Sequence, residues 1–279
     1  MGYLFAVTLL WAFSFSLIGV YLAGHVDAWF SVLIRVALAT LVFLPFIKRL
    51  PPATAIKLML IGAVQLGVMY SFYYHSFLFL SVPEVLLFTV MTPLYITLLN
   101  DTLNKQFNPK FFIVALIAVL GAVAIRYENL NNDFWLGLLL VQGANLSFAT
   151  GQVTYKRLMQ GRQLDDKAAF SWFFIGALFV AGLCYALFGN PSKLPSTNTQ
   201  WGILIYLGIV ASGLGYFLWN KGATLVNVGA LAVMNNLLIP AGIIVNIVIW
   251  NRDADIFRLS IGAAIMLLAL VVNQIMTKK

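Results

Sequence analysis

Charge is what this sequence has least of. Only 9% of its 279 residues are charged, and 62% are hydrophobic. A soluble domain of this length carries about 25% charge, so a water-soluble fold is excluded. There is one cysteine, Cys184, which rules out a disulfide or a cysteine metal cluster within one chain. No G-x-x-x-x-G-K-[S/T] stretch occurs, so the chain has no phosphate-binding loop for ATP. No H-E-x-x-H motif or serine elbow lies in or beside an apolar segment, and Glu84 is the only acidic residue near a helix interior. No catalytic, metal or cofactor site is expected, and a membrane-embedded enzyme has nothing to work with. A formal charge of +8 does not point to nucleic acid, because the basic residues lie in short loops between apolar blocks.

What is present is length of apolar sequence. The hydrophobic residues come in blocks of roughly 18–25, enough to cross about 30 Å of hydrocarbon as helices. A transmembrane barrel needs short alternating segments instead. The reading is all-α: a polytopic membrane protein with ten transmembrane helices. The spans are placed at 3–23, 29–47, 58–80, 83–100, 110–126, 134–155, 168–188, 201–220, 226–249 and 257–276. The first block has no basic residue ahead of it and reads as a retained span rather than a secretory signal. With the N-terminus inside, 12 of the Lys and Arg residues fall on the cytoplasmic side and 4 on the other. Arg35 is inside span two. That bias places both termini in the cytoplasm.

The chain also looks doubled. Ser14-Phe15 in span one aligns with Ser147-Phe148 in span six, an offset of 133. The stretch from Gln65 to Pro93 matches Ala211 to Pro240, with Gly67 on Gly213 and Tyr70 on Tyr216 at an offset of 146, and Pro93 on Pro240 with a one-residue slip. Five spans per unit is odd, so the second unit must enter the membrane upside down. The expected organisation is a five-plus-five inverted repeat, residues 1–129 and 130–279, with a site between the halves near mid-membrane.

Candidate site residues follow from polar groups at depth. Gln142, Asn145, Ala149, Gln152 and Lys156 share one face of span six, an arrangement that calls for protein or water against it. Interhelical hydrogen bonding would also account for it. Trp11 and Phe15 border the small-residue face of span one. In span nine Asn235 and Asn236 precede Pro240, which leaves the Asn236 carbonyl without its helical donor. Each amide supplies both a donor and an acceptor. Tyr70 and Tyr74 share a face of span three, and their partners in span eight are Tyr216 and Asn220, with Trp219 matching Tyr73. His75 stands near the outer end, where Glu84 is within pairing reach. Arg35 inside a span costs about 2.5–3.5 kcal/mol on insertion scales and needs a partner, either a carboxylate cargo or a structural acceptor.

The doubling, the Arg in span two, the G-Y-x-x-W-N block at 215–220 and the prolines Pro93 and Pro240 resemble the EamA group of the drug/metabolite transporter superfamily. The blocks QLGVMY, LLFTVMTPLYITL, YKRLM, ASGLGYFLWNKGAT and MNN are similar to its enterobacterial single-component biotin-uptake branch. The group resemblance implies a central cavity lined by spans one, three, four, six, eight and nine, with span two peripheral. The closer one implies a secondary transporter that imports biotin across the inner membrane without an ATPase subunit; export of amino acids or other small metabolites is the alternative. With that cargo, the polar and aromatic residues take these expected roles: Asn235, Asn236, Gln142 and Asn145 hold the polar ring, and Tyr70, Tyr216, Trp11 and Trp219 wall the apolar part. Lys156, Arg35 or His75 then meets the carboxylate. An anion entering against about 100 mV is opposed by roughly 2.3 kcal/mol, so uptake needs a co-transported cation or consumption inside the cell.

Overall fold

The computed structural model describes residues 2–105, 117, 120, 121, 124, 132–160, 164–226, 228–250 and 255–277. Its elements there are helices α1 (Gly2–Leu22), α2 (Ala28–Phe46), α3 (Pro52–Ser76), α4 (Val82–Leu103), α5 (Asn132–Met159), α6 (Asp166–Phe188), α7 (Asn198–Thr224), α8 (Val228–Trp250) and α9 (Ile256–Thr277). The first seven are each long and apolar enough to cross a membrane; Met234–Trp250 and Ile256–Ile265 are shorter apolar stretches of α8 and α9. The span expected at 110–126 lies outside the described residues, so the count of ten is not reached among them.

The helix starts are set by caps, because a backbone N–H left unpaired near lipid has no water to turn to. Asp27 accepts from the Phe30 N–H at 2.7 Å at the head of α2. Ser81 and Glu84 form a reciprocal capping box on α4, and Thr197 and Gln200 do the same on α7. Glu84 is thereby engaged at its own helix start: its Oε2 accepts from the Ser81 N–H and Oγ–H at 2.8 Å each. His75 Nδ1 lies 2.7 Å from the Ser71 carbonyl. Each residue of the expected His75–Glu84 pair thus has a local partner. Pro52 occupies the first turn of α3, where its missing N–H costs nothing, so the helix starts ahead of the expected residue 58.

Several helices are not regular throughout. Wide π-type turns occupy Ile18–Leu22 of α1, Ala63–Val68 of α3 and Leu207–Leu214 of α7. In α4 a tight turn at Thr89–Met91 precedes Pro93, whose ring cannot continue the ladder. Irregular backbone of this kind survives in a membrane only where protein or a cavity covers it.

Helices of the first part of the chain pack chiefly on helices of the second. α1 lies on α7 and α8, α2 on α6 and α7, α3 on α5 and α6, and α4 on α5 and α8, while α9 lies against α4. Aromatic packing fills one side of this core: Phe43 sits 5.2 Å from both Phe174 and Phe217, and Phe170 stacks 4.9 Å from Phe173. Phe179, Leu187, Val248 and Phe257 stay outside, as lipid-facing residues do. At the α3–α6 crossing, two glycines let the backbones touch. A β-carbon on Gly62 would fall 1.8 Å from the Phe173 carbonyl oxygen, and one on Gly176 would fall 1.9 Å from that of Met59.

Neither backbone can yield there. Gly62→Val is therefore expected to lower stability by roughly 1–3 kcal/mol or more. Gly182→Ala, where an added β-carbon meets nothing within 4 Å, is expected not to lower it. Thermal melting of the two variants in detergent checks the pair.

Candidate functional site

A cleft opens between α1, α2, α3, α4, α5, α7 and α8. Its walls divide into a charged end, an aromatic middle and a set of amides.

The charged end is Arg35. The guanidinium is buried, with only 2% of the residue exposed. Its Nε donates to Ser212 Oγ at 3.1 Å, Nη1 to the Tyr74 hydroxyl at 2.8 Å and Nη2 to the Tyr70 hydroxyl at 2.7 Å. The Tyr70 and Ser212 hydroxyls are themselves 2.8 Å apart. The guanidinium carbon also lies 4.3 Å from the Tyr70 ring centre. Gly208 makes this approach possible, because a β-carbon there would fall 2.8 Å from the Leu38 side chain and 3.3 Å from Arg35 Cα. These partners take three of the five N–H groups an arginine carries, and all are neutral. Among the described residues no carboxylate lies within ion-pair distance of Arg35. The end of the cleft is thus electropositive, with hydrogen-bond donors left over. The peripheral position expected of span two is corrected here: α2 delivers Arg35 into the cleft wall.

The aromatic middle is built on Trp11. Its Nε1 donates to the Ala211 carbonyl at 2.8 Å, inside the wide turn of α7 that frees such groups. The Trp11 ring is then 5.0 Å from both Tyr216 and Trp219 and 6.2 Å from Phe148. Tyr70 packs 5.8 Å from Tyr216, and Phe15 packs 5.3 Å from Tyr73.

Two amides face the cleft, Asn145 and Asn235. Asn145 Nδ2 donates to the Phe88 carbonyl at 3.0 Å, at the start of the tight turn before Pro93. It also donates to Gln142 Oε1 at 3.1 Å, which accepts from the Tyr95 hydroxyl at 3.3 Å. Gln142 therefore braces Asn145 from behind and does not line the cleft. Asn235 Nδ2 donates back to the Leu231 carbonyl at 2.9 Å. Asn236 points elsewhere, and its buried Oδ1 is without a hydrogen-bond partner.

The other two expected residues lie elsewhere. Lys156 Nζ donates to the Val226 carbonyl in the α7–α8 connection. His75 packs 4.3 Å from Trp29 and borders a separate recess with Asp27 and Lys193. The cleft thus joins Trp11, Arg35, Tyr70, Asn145, Tyr216, Trp219 and Asn235, and leaves out His75, Gln142, Lys156 and Asn236. Ser14, Tyr73, Thr89, Thr92 and Phe148 also line it and were not singled out as site residues. Thr89 and Thr92 flank the turn ahead of Pro93, a signal that could have found them. Among the described residues no group of three His, Cys, Asp or Glu could hold a metal ion.

The model of the EamA-like transporter family matches this chain twice, over residues 1–127 and 135–274. A biotin transporter of Salmonella typhimurium is 52% identical over 277 residues, covering 98% of this chain and 93% of that protein. The biotin transporter of Escherichia coli K12 is 50% identical with the same coverage. A probable biotin transporter of Pseudomonas aeruginosa is 50% identical over 279 residues, covering 99% and 98%. One solved crystal structure superposes with a TM-score of 0.69 over 99% of this chain and 97% of its own, at 17% identity, which is a likeness of fold.

Removing one hydroxyl beside the buried guanidinium leaves an N–H without an acceptor. Tyr74→Phe is expected to destabilise the protein by about 1–3 kcal/mol. Thr102→Ala, whose hydroxyl bonds only its own helix at an exposed site, is expected to change little. Detergent melting curves of the two variants test this.

Proposed function

The chain belongs to the EamA-like transporter family, and from that premise we propose that it imports biotin across the bacterial inner membrane by alternating access. It is a multi-pass membrane protein that carries its cargo as a single component. The observation that carries the cargo assignment is the likeness to biotin transporters at 50% identity or more over 98% of the chain. The geometry of the cleft supports it. Biotin has a carboxylate, an aliphatic chain and a polar ureido ring, and the cleft offers an unpaired cation, aromatic walls and amides in one space.

We assign the carboxylate to Arg35, the one of the three basic candidates that borders the cleft. Asn145 and Asn235 face the ureido ring, with Gln142 holding Asn145 in place. Tyr70, Trp11, Tyr216 and Trp219 enclose the hydrocarbon. Lys156 and His75 stand off the binding position.

Two halves, residues 1–129 and 130–279, would close alternately over this cleft. The packing supports the reading. If α1 is exchanged with α5, α2 with α6, α3 with α7 and α4 with α8, the α1–α8 contact becomes α5–α4. Likewise α1–α7 becomes α5–α3, α2–α7 becomes α6–α3, and α2–α6 returns to itself; all of these contacts exist. The wide turns of α3 and α7 fall at matching positions, and the family model matches each half separately. With both termini in the cytoplasm, the ion pairs Lys48–Asp165 and Lys221–Asp166, at 2.5 Å and 3.1 Å, lie at the cytoplasmic ends of the helices. The Lys48 ammonium holds the Asp165 carboxyl below the usual carboxylate range. The first pair ties one half to the other.

Radiolabelled biotin uptake by auxotrophic cells lacking their own carrier tests the function. The gene is expected to restore uptake, and Arg35→Met is expected to reduce it at least about tenfold while Lys193→Ala leaves it within about twofold, a tenfold change being 1.4 kcal/mol. Uptake that does not depend on the gene rejects import.

A further inference from the structure

Among the described residues, two polar groups in the cleft wall have no hydrogen-bond partner. Trp219 is 1% exposed and Ser14 is 5% exposed, and both line the cleft. Trp219 Nε1 and Ser14 Oγ are each without a hydrogen-bond partner. Elsewhere the chain spends such groups. Trp11, Trp172 and Trp250 donate their indole N–H to the Ala211 carbonyl, the Lys48 carbonyl and the Tyr21 hydroxyl at 2.8, 3.0 and 3.2 Å. A helical serine or threonine in this chain usually bonds back to the carbonyl one turn earlier, as Thr8, Thr40, Ser71 and Thr97 do. Ser147, the residue that matches Ser14 in the doubled sequence, donates to the Gly143 carbonyl at 2.8 Å. Ser14 and Ser31 depart from this pattern, and of the two it is Ser14 that lines the cleft, as Trp219 does. A buried donor left open at a cavity wall is a group waiting for an acceptor.

The position of Trp219 gives that acceptor a distance. Ser212, which holds Arg35 Nε, is seven residues before Trp219 on α7, a separation of about 10 Å along the helix axis at 1.5 Å per residue. The cleft therefore has a cationic end and a second polar end about two turns apart, with Tyr216 and Trp11 between. A ligand that satisfies both carries a carboxylate on a chain and a carbonyl at the far end of its ring system. Resting on the biotin reading above, we propose that the Trp219 indole N–H donates to the ureido carbonyl oxygen of the cargo. Ser14 Oγ is at the other end: α1 runs antiparallel to α7, with Leu4 against Gly222 and Trp11 against Gly215, so Ser14 stands level with Ser212 at the cationic end. The Trp219 N–H makes the site select for the ureido group rather than for any apolar carboxylate. Trp219 is then a specificity-determining residue through its N–H as well as a wall through its ring.

Trp219→Phe keeps a ring and removes the donor. Purified wild type and Trp219→Phe in nanodiscs are compared for binding of biotin and of lipoic acid, an apolar-ring carboxylate with no ureido group. Trp219→Phe is expected to weaken biotin about fivefold to tenfold, the worth of one hydrogen bond, with lipoic acid unchanged. Indole ¹⁵N labelling of the wild type gives a readout that no folding defect can mimic. The resonance that Trp219→Phe removes is expected to move downfield on adding biotin and to stay in place with lipoic acid. Equal loss of both ligands in Trp219→Phe, or an indole resonance that biotin does not move, overturns the proposal. Wild type that binds lipoic acid and not biotin overturns the biotin reading itself.

Discussion

A positive charge buried with no negative partner among the described residues is the constraint around which this bundle is arranged. Arg35 donates to hydroxyls on two other helices, Tyr70 and Tyr74 on α3 and Ser212 on α7. Neutral acceptors solvate the guanidinium but do not cancel it, and a full charge inside a membrane segment costs several kcal/mol. Such a residue persists where a counter-charge arrives from outside. The same contacts fix three helices relative to one another, so the anion site proposed at Arg35 and the packing of α2, α3 and α7 are one feature. Occupying the site must then be felt by all three.

The second requirement is open backbone at the depth of the cleft. A regular helix hides its carbonyls. Here Pro93 and the turn before it leave the Phe88 carbonyl for Asn145, and the wide turn of α7 leaves the Ala211 carbonyl for Trp11. In both cases an irregularity orients a side chain that faces the cleft. Wide turns of this kind recur at functional sites in helical proteins.

The elements were plain in the sequence. Long apolar blocks ended by Asp27, Ser81 or Thr197 can hardly be anything but capped spanning helices, and the described helices start and end within a few residues of the expected spans except at the head of α3. The site was legible in part. A helical stripe gives direction around the axis but neither depth nor which member reaches the open space. Gln142 and Asn145 share a face, yet Asn145 fronts the cleft and Gln142 stands behind it. Lys156 continues the same stripe past the end of the cleft. Arg35 was recognisable as costly, but its partners are 35, 39 and 177 residues away, beyond anything local spacing encodes. Ser14 and Trp219 matter through bonds they do not make within the chain, which only coordinates reveal.

The direct test of the account is whether the purified protein recognises the negative charge of its cargo. Thermal melting in detergent with biotin and with biotin methyl ester measures this, because a ligand that binds the folded state raises the midpoint in proportion to its affinity. The account predicts a clear rise with the acid and little or none with the ester, which keeps the ring and chain but offers Arg35 no charge. Equal stabilisation by the two would contradict it.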